Sequence, residues 1–352
     1  MRTGFVVSWT DRLLALIGTG DMLGAIHLAT SFYLGLDRST VIGLPESVTE
    51  RHRLVGAKLE EIVRSSLRYV FSEERMSDNT HSSRDGRGVD RTELFEGLVT
   101  ETAEASLALG ELDFLLDDVF DRYEQAGIEG IFLQQLEPFI LDGRIPTIPT
   151  HLVQRLFRQR DARDQLDELE TLIWHVDPRC LDINQTILLC HKHRLWDALV
   201  HVYNRSLADF VSPVVELLAI IRTVHHHRAG RSQRVGGQVR DEKNGSDGLT
   251  DDEVEALVPD GYKLYSYLSE VLSGLAYPSR ETMADEEAIP ARSSVYAFLF
   301  SGRSTSAVPG GPLIGTVVQG SSEPTYPYLR LLLQFDTEAF LHAIDIAFED
   351  RT

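Results

Sequence analysis

Three segments of the chain share one arrangement: an apolar helix end, a short polar turn and a second apolar helix. They are residues 16–29 (LIGTGDMLGAIHLA), 189–202 (LCHKHRLWDALVHV) and 334–347 (QFDTEAFLHAIDIA). One alanine recurs in a single column of this alignment, at Ala25, Ala198 and Ala343. This pattern predicts a repeated helical hairpin, in which the small residue lies where the two backbones approach most closely.

A lone hairpin of this kind cannot bury both of its apolar faces. Neighbouring hairpins must therefore stack, which is the principle of a solenoid. Because the copies follow no strict period, we expect a degenerate array with insertions between its repeats.

Helical patterns dominate the rest of the chain. Apolar residues recur at three- and four-residue spacing in the segments 48–71, 92–109, 112–126, 151–159, 163–176, 195–207 and 214–224. Helix starts are indicated by a capping box at Thr250 and Glu253, by Asp182 ahead of Gln185, and by Ser212 ahead of Pro213. Only residues 313–319 resemble a strand. We predict an all-α fold, an α-solenoid of stacked hairpins.

Three stretches interrupt the helical pattern. Residues 72–91, 229–250 and 302–324 are rich in Gly, Ser, Asp and Arg and poor in large apolar side chains. Such composition is typical of loops and insertions. We expect residues 1–352 to form one solenoid region carrying these insertions.

The charge balance narrows the classes of partner. The chain has 54 acidic against 34 basic residues and a formal net charge of −20, which argues against a nucleic-acid partner held through phosphate contacts. Its two cysteines fit a reducing, cytosolic compartment. No stretch of about 18 uninterrupted apolar residues occurs, so we expect any membrane association to be peripheral.

The glycines of GTGDMLG permit an alternative hypothesis. Gly18, Gly20 and Gly24 could let backbone N–H groups approach a pyrophosphate, with Asp37 placed to bind a ribose, which would make the protein a nucleotide-dependent oxidoreductase. The spacing is G-x-G-x-x-x-G, however, and no βαβ alternation follows. We favour a helix–turn–helix in which Gly18 ends a helix and Gly20 relieves the turn.

Potential metal ligands are poorly spaced. Cys180 and Cys190 stand ten positions apart, with His191 and His193 following, whereas zinc sites favour cysteines two to four positions apart. The triplet His225, His226 and His227 would point three ways from a helix end. We predict that Cys190 is a small buried core residue.

Acidic residues cluster in one helical segment. They are Glu111, Asp113, Asp117, Asp118 and Asp121. An apolar stripe that includes Leu115, Leu116 and Phe120 opposes them, which predicts a solvated helix face rather than paired catalytic carboxylates. Because no catalytic motif occurs either, we assign no catalytic, cofactor-binding or metal-binding residue and expect no enzyme.

Five longer segments carry a family resemblance: residues 8–35, 136–157, 181–218 (LDINQTILLCHKHRLWDALVHVYNRSLADFVSPVVELL), 261–278 and 331–350. Together they resemble the α-solenoid of the vacuolar protein sorting-associated protein 8 family, whose members belong to the endosomal CORVET tethering complex. The long middle block is the most distinctive. Family members also carry an amino-terminal β-propeller and a carboxy-terminal RING-type domain, so we expect this chain to be the central solenoid of a longer protein.

The resemblance implies a scaffold of a multi-subunit tether that joins endosomal membranes before fusion, in transport from endosome to vacuole. It implies other tethering-complex subunits and an early-endosomal Rab GTPase as partners, and a cytoplasmic location, peripheral on endosomal and vacuolar membranes. It implies no catalytic residue. A structural spacer between two functional ends is the remaining alternative.

Overall fold

The computed structural model describes residues 7–37, 41–76, 91–235, 250–307, 311, 313–315 and 323–348. Helices form the regular structure of these residues, apart from two isolated β-bridges. The all-α solenoid prediction is confirmed. The chain divides into two compact units, residues 1–181 and 182–352.

The first unit is a succession of helices. They are α1 (Trp9–Gly18), α2 (Met22–Leu34), α3 (Val48–Val70), α4 (Glu73–Met76), α5 (Thr92–Leu109), α6 (Phe120–Gln125), α7 (Glu129–Leu141), α8 (Thr150–Ala162) and α9 (Leu166–His175). Each of the longer helices packs mainly on near neighbours in sequence: α2 against α1, α3 and α5, α5 against α7, and α7 against α8 and α9. This is the stacking that the repeat predicts.

Aromatic side chains fill the centre of the first unit. Tyr123 is fully buried and its ring contacts those of Phe71, Phe95 and Phe132. Its phenol donates a 2.8 Å hydrogen bond to the carbonyl of Phe95, which satisfies the one polar atom of the cluster. Burial raises the pKa of Tyr123 far above its ordinary value.

A π-helix, Phe114–Val119, runs directly into α6. Leu115, Leu116, Val119 and Phe120 are all buried, so the core contacts recur after one, four and five positions. The wider turn of a π-helix brings such positions onto one face. Sequence periodicity predicts an ordinary α-helix over 112–126, and the structure corrects this locally.

The second unit contains eight helices within its described residues. They are α10 (Ile183–His193), α11 (Trp196–Leu207), α12 (Ser212–Val235), α13 (Asp251–Glu255), α14 (Val258–Ser273), α15 (Asp285–Leu299), α16 (Pro327–Phe335) and α17 (Thr337–Phe348). Helix α14 lies at the centre and packs against α12, α15 and α17, while α16 bridges α12 and α17. Tyr267 of α14 is fully buried and its phenol donates to the carbonyl of Phe210 at 2.8 Å.

The three aligned segments are all helical hairpins. Ala25 and Ala198 are fully buried and Ala343 is 4% exposed, so each is a core residue of its hairpin. The turns differ in length, however: three residues separate α1 from α2, two separate α10 from α11, and only Asp336 separates α16 from α17. The ungapped alignment therefore matches buried positions better than it matches turns.

Several boundaries differ from the sequence predictions. Helix α12 continues to Val235, so the first residues of the expected 229–250 insertion are helical. The side chain that caps this helix start is Asp209, which accepts from the N–H groups of Val211 and Ser212, rather than Ser212 itself. The short helix α4 lies in the expected 72–91 loop. Residues 313–315 form no strand, and 316–319 lie outside the described residues.

Candidate functional site

The glycine-rich turn is built as a helix–turn–helix. Helix α1 ends at Gly18, and Gly20 adopts a φ of +81°, a left-handed conformation that glycine adopts without steric cost. The carboxylate of Asp21 accepts a 2.9 Å hydrogen bond from the N–H of Gly24. A negative side chain thus occupies the helix start where a phosphate would have to bind.

Asp37, the acid that the oxidoreductase hypothesis assigns to a ribose, pairs with an arginine instead. Asp37 lies 3.6 Å from the guanidinium of Arg12 in α1. The segment before the glycines is a helix, whereas a dinucleotide fold requires a strand there. The turn therefore favours the helix–turn–helix interpretation.

The cysteines and their neighbouring histidines do not form a ligand set. Cys180 belongs to the first unit and Cys190 to the second, and both are buried free thiols. Cys190 is fully buried in α10, as expected for a small core residue. Nε2 of His191 lies 3.8 Å from a carboxylate oxygen of Glu216. Over the part of the chain that the structure describes, no three His, Cys, Asp or Glu residues are placed to hold a metal ion.

The histidine triplet lies inside α12 and does not end a helix, which corrects the sequence prediction. His227 lies 3.4 Å from Asp251, and Arg228 lies 3.3 Å from Glu255, so the second half of α12 is tied to α13. Partial desolvation by its neighbours lowers the pKa of His226, although the residue is exposed, and the nearby charges of His225 and Arg222 add to this.

The acidic cluster is a solvated face. Asp113, Asp117, Asp118 and Asp121 are exposed and Glu111 is half-buried. The apolar residues between them are buried in the first unit. The arrangement matches the predicted amphipathic helix and brings no two of these carboxylates into a buried pair.

A polar cluster in the second unit was missed by sequence reasoning. Asp197 of α11 accepts hydrogen bonds from Lys263 and from the phenol of Tyr277, each at 2.5 Å. Close by in α14, Glu270 accepts from Arg280 at 2.9 Å, and burial raises the pKa of its carboxyl. These partners lie up to 80 residues apart, so no local sequence signal joins them. The contacts tie α11, α14 and the turn after α14 together.

A groove between α12 and α16 is the second feature that the sequence did not reveal. Residues 313–315 form one wall of it, and Ile314 hydrogen-bonds to Thr305 in residues 302–307; we call residues 302–307 and 313–315 together the strap. Arg222 of α12 donates a 2.8 Å hydrogen bond to the carbonyl of Gly315. The two groups joined by this hydrogen bond across the α12–α16 groove are 93 residues apart in the chain.

Tyr328 of α16 anchors the strap. Its hydroxyl accepts a 2.9 Å hydrogen bond from the N–H of Thr305 and lies 2.8 Å from the carbonyl of Ile314. Ile314 in turn donates to the carbonyl of Thr305 at 2.9 Å, which closes the strap on itself. The Tyr328 ring stacks on Phe298 with centroids 4.4 Å apart. One fully buried phenol thus holds both ends of the strap.

Among the described residues, no helix combines the length and the apolar character that crossing a lipid bilayer requires.

Comparison with known proteins gives one consistent family. A family model described as "Vps8 central TPR" matches residues 131–348. Vacuolar protein sorting-associated protein 8 homologues from Mus musculus and Homo sapiens are 29% and 28% identical to the chain over 97% of its length. The protein of that name from Saccharomyces cerevisiae is 22% identical over 99% of the chain.

The chain spans between a fifth and a quarter of the length of these relatives, namely 21% of the two mammalian proteins and 25% of the yeast protein. The matched segment 131–348 includes all of α8 to α17 and therefore the polar cluster and the α12–α16 groove. Because the family model matches more than half of the chain, this chain belongs to the Vps8 family, as a form of its central TPR region.

Proposed function

We propose that this chain is an interaction scaffold within an endosomal vesicle-tethering complex that acts in transport from endosome to vacuole. The observation that carries the proposal is the similarity to vacuolar protein sorting proteins over nearly the whole chain, joined to a fold of stacked hairpins. Stacked hairpins present extended surfaces, which suit the assembly of several proteins at once.

The proposed partners are other subunits of the tether and an early-endosomal Rab GTPase. The proposed location is the cytoplasmic side of endosomal and vacuolar membranes, with peripheral attachment through partners. The region 1–352 would act as one piece of a longer protein. We infer a non-catalytic role, because the acidic face is solvated and the glycine turn is capped by its own aspartate.

A chimaera tests this proposal. The segment of the Saccharomyces cerevisiae relative that matches this chain is replaced by residues 1–352, and delivery of a vacuolar hydrolase is measured in cells lacking the native protein. We expect delivery to be restored. Loss of delivery by a chimaera that is expressed at normal levels would contradict a scaffold role for this region.

A second chimaera separates binding from spacing. An unrelated α-solenoid of similar length takes the place of the same segment. If the chain only spaces two functional ends, the unrelated solenoid restores delivery equally well; if the chain binds partners, it does not. Pull-down of purified tether subunits and of GTP-loaded Rab by residues 1–352 then identifies which contact is lost.

A further inference from the structure

The α12–α16 groove encloses a cavity of about 270 Å³ that opens to solvent. Its walls are mostly apolar. Helix α12 contributes Leu218 and Ala219, α16 contributes Leu331 and the ring of Tyr328, and the strap contributes Ile314. The cavity lies wholly inside the second unit.

The size of the cavity limits what it can accept. An apolar cavity of about 150 Å³ is enough to bind benzene, whereas pockets for drug-sized ligands begin at roughly 300 Å³. A space of about 270 Å³ therefore fits one aromatic or large aliphatic side chain rather than a whole cofactor. Burying such a side chain is favourable because apolar surface leaves water.

Among the described residues that line this cavity, only Arg222 carries a positive charge. Arg222 uses Nη1 to hold the strap carbonyl of Gly315, and within the described residues no carboxylate pairs with it. A guanidinium has five N–H donors, so several remain for a second acceptor. Although the whole chain has a net charge of −20, the local positive charge of Arg222 favours an acidic residue beside the apolar anchor.

The strap itself illustrates the chemistry that the groove accepts. It carries a half-buried aliphatic side chain, Ile314, next to a carbonyl, that of Gly315, which accepts from Arg222. A partner segment with an apolar side chain and a nearby acceptor would use the same two kinds of contact. Among the described residues, the cavity beside Ile314 opens to solvent, which gives such a segment a way in.

We propose that this cavity binds a protein segment in which a phenylalanine or leucine side chain stands next to an acidic residue. The apolar side chain enters between α12 and α16, and the acidic carboxylate accepts from Arg222. This inference rests on the proposed scaffold role and names one of its docking sites.

The test uses the 352-residue chain and four acetylated, amidated tetrapeptides. They are Gly-Asp-Phe-Gly, Gly-Asp-Leu-Gly, Gly-Asn-Phe-Gly and Gly-Asp-Ala-Gly. Binding is followed by saturation-transfer NMR and quantified by titration. We expect the Phe and Leu peptides to bind, replacement of Phe by Ala to weaken binding about tenfold or more, and replacement of Asp by Asn to weaken it about three- to fivefold.

Variants of the chain locate the binding. Arg222→Gln keeps a donor for the strap but removes the charge, so the Asp and Asn peptides should bind it equally. Ala219→Leu extends a side chain into the cavity and should abolish binding of all peptides. The matched control is Ala229→Leu, an exposed position on the same helix, which should bind like the unmodified chain. Circular dichroism of each variant confirms that the helices are intact.

Two results would overturn the proposal. One is the absence of binding by both the Asp-Phe and the Asp-Leu peptide at millimolar concentration; the other is binding that survives Ala219→Leu in a folded protein. Neither result bears on the chimaera experiment, which tests the scaffold role by hydrolase delivery. A restored delivery together with unbound peptides would remove this site and leave the scaffold proposal standing.

Discussion

The carboxylate of Asp21 accepts a hydrogen bond of 2.9 Å from the N–H of Gly24, and this contact begins α2. It satisfies a donor that the start of a helix leaves open. The two residues belong to the stretch whose glycines suggest a nucleotide site, and their contact gives the stretch a structural role instead. A bound phosphate would have to displace this carboxylate or bind against its charge.

We expect Asp21→Ala to destabilise the first unit by about 1 kcal/mol, because the start of α2 loses its cap. Asp21→Asn keeps an acceptor oxygen and should cost only a few tenths of a kcal/mol. Urea unfolding of both variants measures the difference. Equal stability of the Ala and Asn variants would show that the cap contributes nothing.

The alanine column gives the second prediction. Ala25 is fully buried in the first hairpin, so Ala25→Phe must overpack the interior at a cost of about 1 to 3 kcal/mol. Ala162→Phe is the matched control, because Ala162 is exposed near the end of α8. Thermal unfolding should show a lowered midpoint for the first variant and an unchanged one for the second. An unchanged midpoint for Ala25→Phe would mean that the hairpin has room to spare.

A strained backbone position supplies a prediction of opposite sign. Ala208 follows the end of α11 with a φ of +50°, a conformation that costs an L-residue with a Cβ roughly 1 to 2 kcal/mol. Glycine removes most of that cost, so Ala208→Gly should stabilise the second unit by about 0.5 to 1 kcal/mol after its greater unfolded-state entropy is counted. Ala229→Gly, inside α12, should instead destabilise by about 1 kcal/mol. Thermal unfolding of the two variants should therefore shift in opposite directions.

A buried ion pair joins α7 and α8. Arg160 donates through Nε to Glu137 at 3.0 Å and also through Nη2, and both side chains are largely buried, with exposures of 13% and 7%. Arg160→Met leaves Glu137 buried without its charge partner and should cost about 3 to 5 kcal/mol. The double variant Glu137→Leu with Arg160→Met should recover most of this loss. A double variant as unstable as the single one would indicate that packing rather than charge sets the cost.

The sequence predicts those parts of this fold that depend on local periodicity. The helix predicted over residues 92–109 has the same bounds as α5, and the helix predicted over 48–71 is one residue longer than α3. Both predictions succeed because both helices carry a regular apolar stripe. The capping box at Thr250 and Glu253 is also confirmed. In each case the signal lies within one turn or one helix face.

The features that sequence reasoning misses depend on tertiary packing and on contacts between residues that are far apart in the chain. Helices α7 and α15 contain Pro138 and Pro290, which weaken a helix pattern although tertiary packing maintains the helix. The contact between Arg222 and Gly315 spans 93 residues, so the α12–α16 groove exists only once the helices have packed. Asp197, Lys263 and Tyr277 likewise meet only in the folded second unit.

The pH dependence of stability provides the last prediction, through Glu270. Burial raises the pKa of its carboxyl above the ordinary value of 4.5, although the hydrogen bond from Arg280 opposes this. The folded state therefore holds its proton to a higher pH than the unfolded state does. As pH rises through 4.5 toward the raised value, the unfolded state loses its proton first, so this residue lowers the stability of the second unit, and the loss persists at pH 7.

Glu270→Gln removes that titration. The variant should gain stability relative to the unmodified chain as the pH is raised from 4 to 7, and the two should approach each other again near pH 4. Loss of the ion pair between Arg280 and residue 270 should lower the stability little, because 76% of the Arg280 side chain is exposed and water solvates its charge. Asp285→Asn at the exposed start of α15 serves as a control for a general change in charge. A difference between Glu270→Gln and the unmodified chain that does not vary with pH would show that Glu270 titrates alike in the folded and unfolded states.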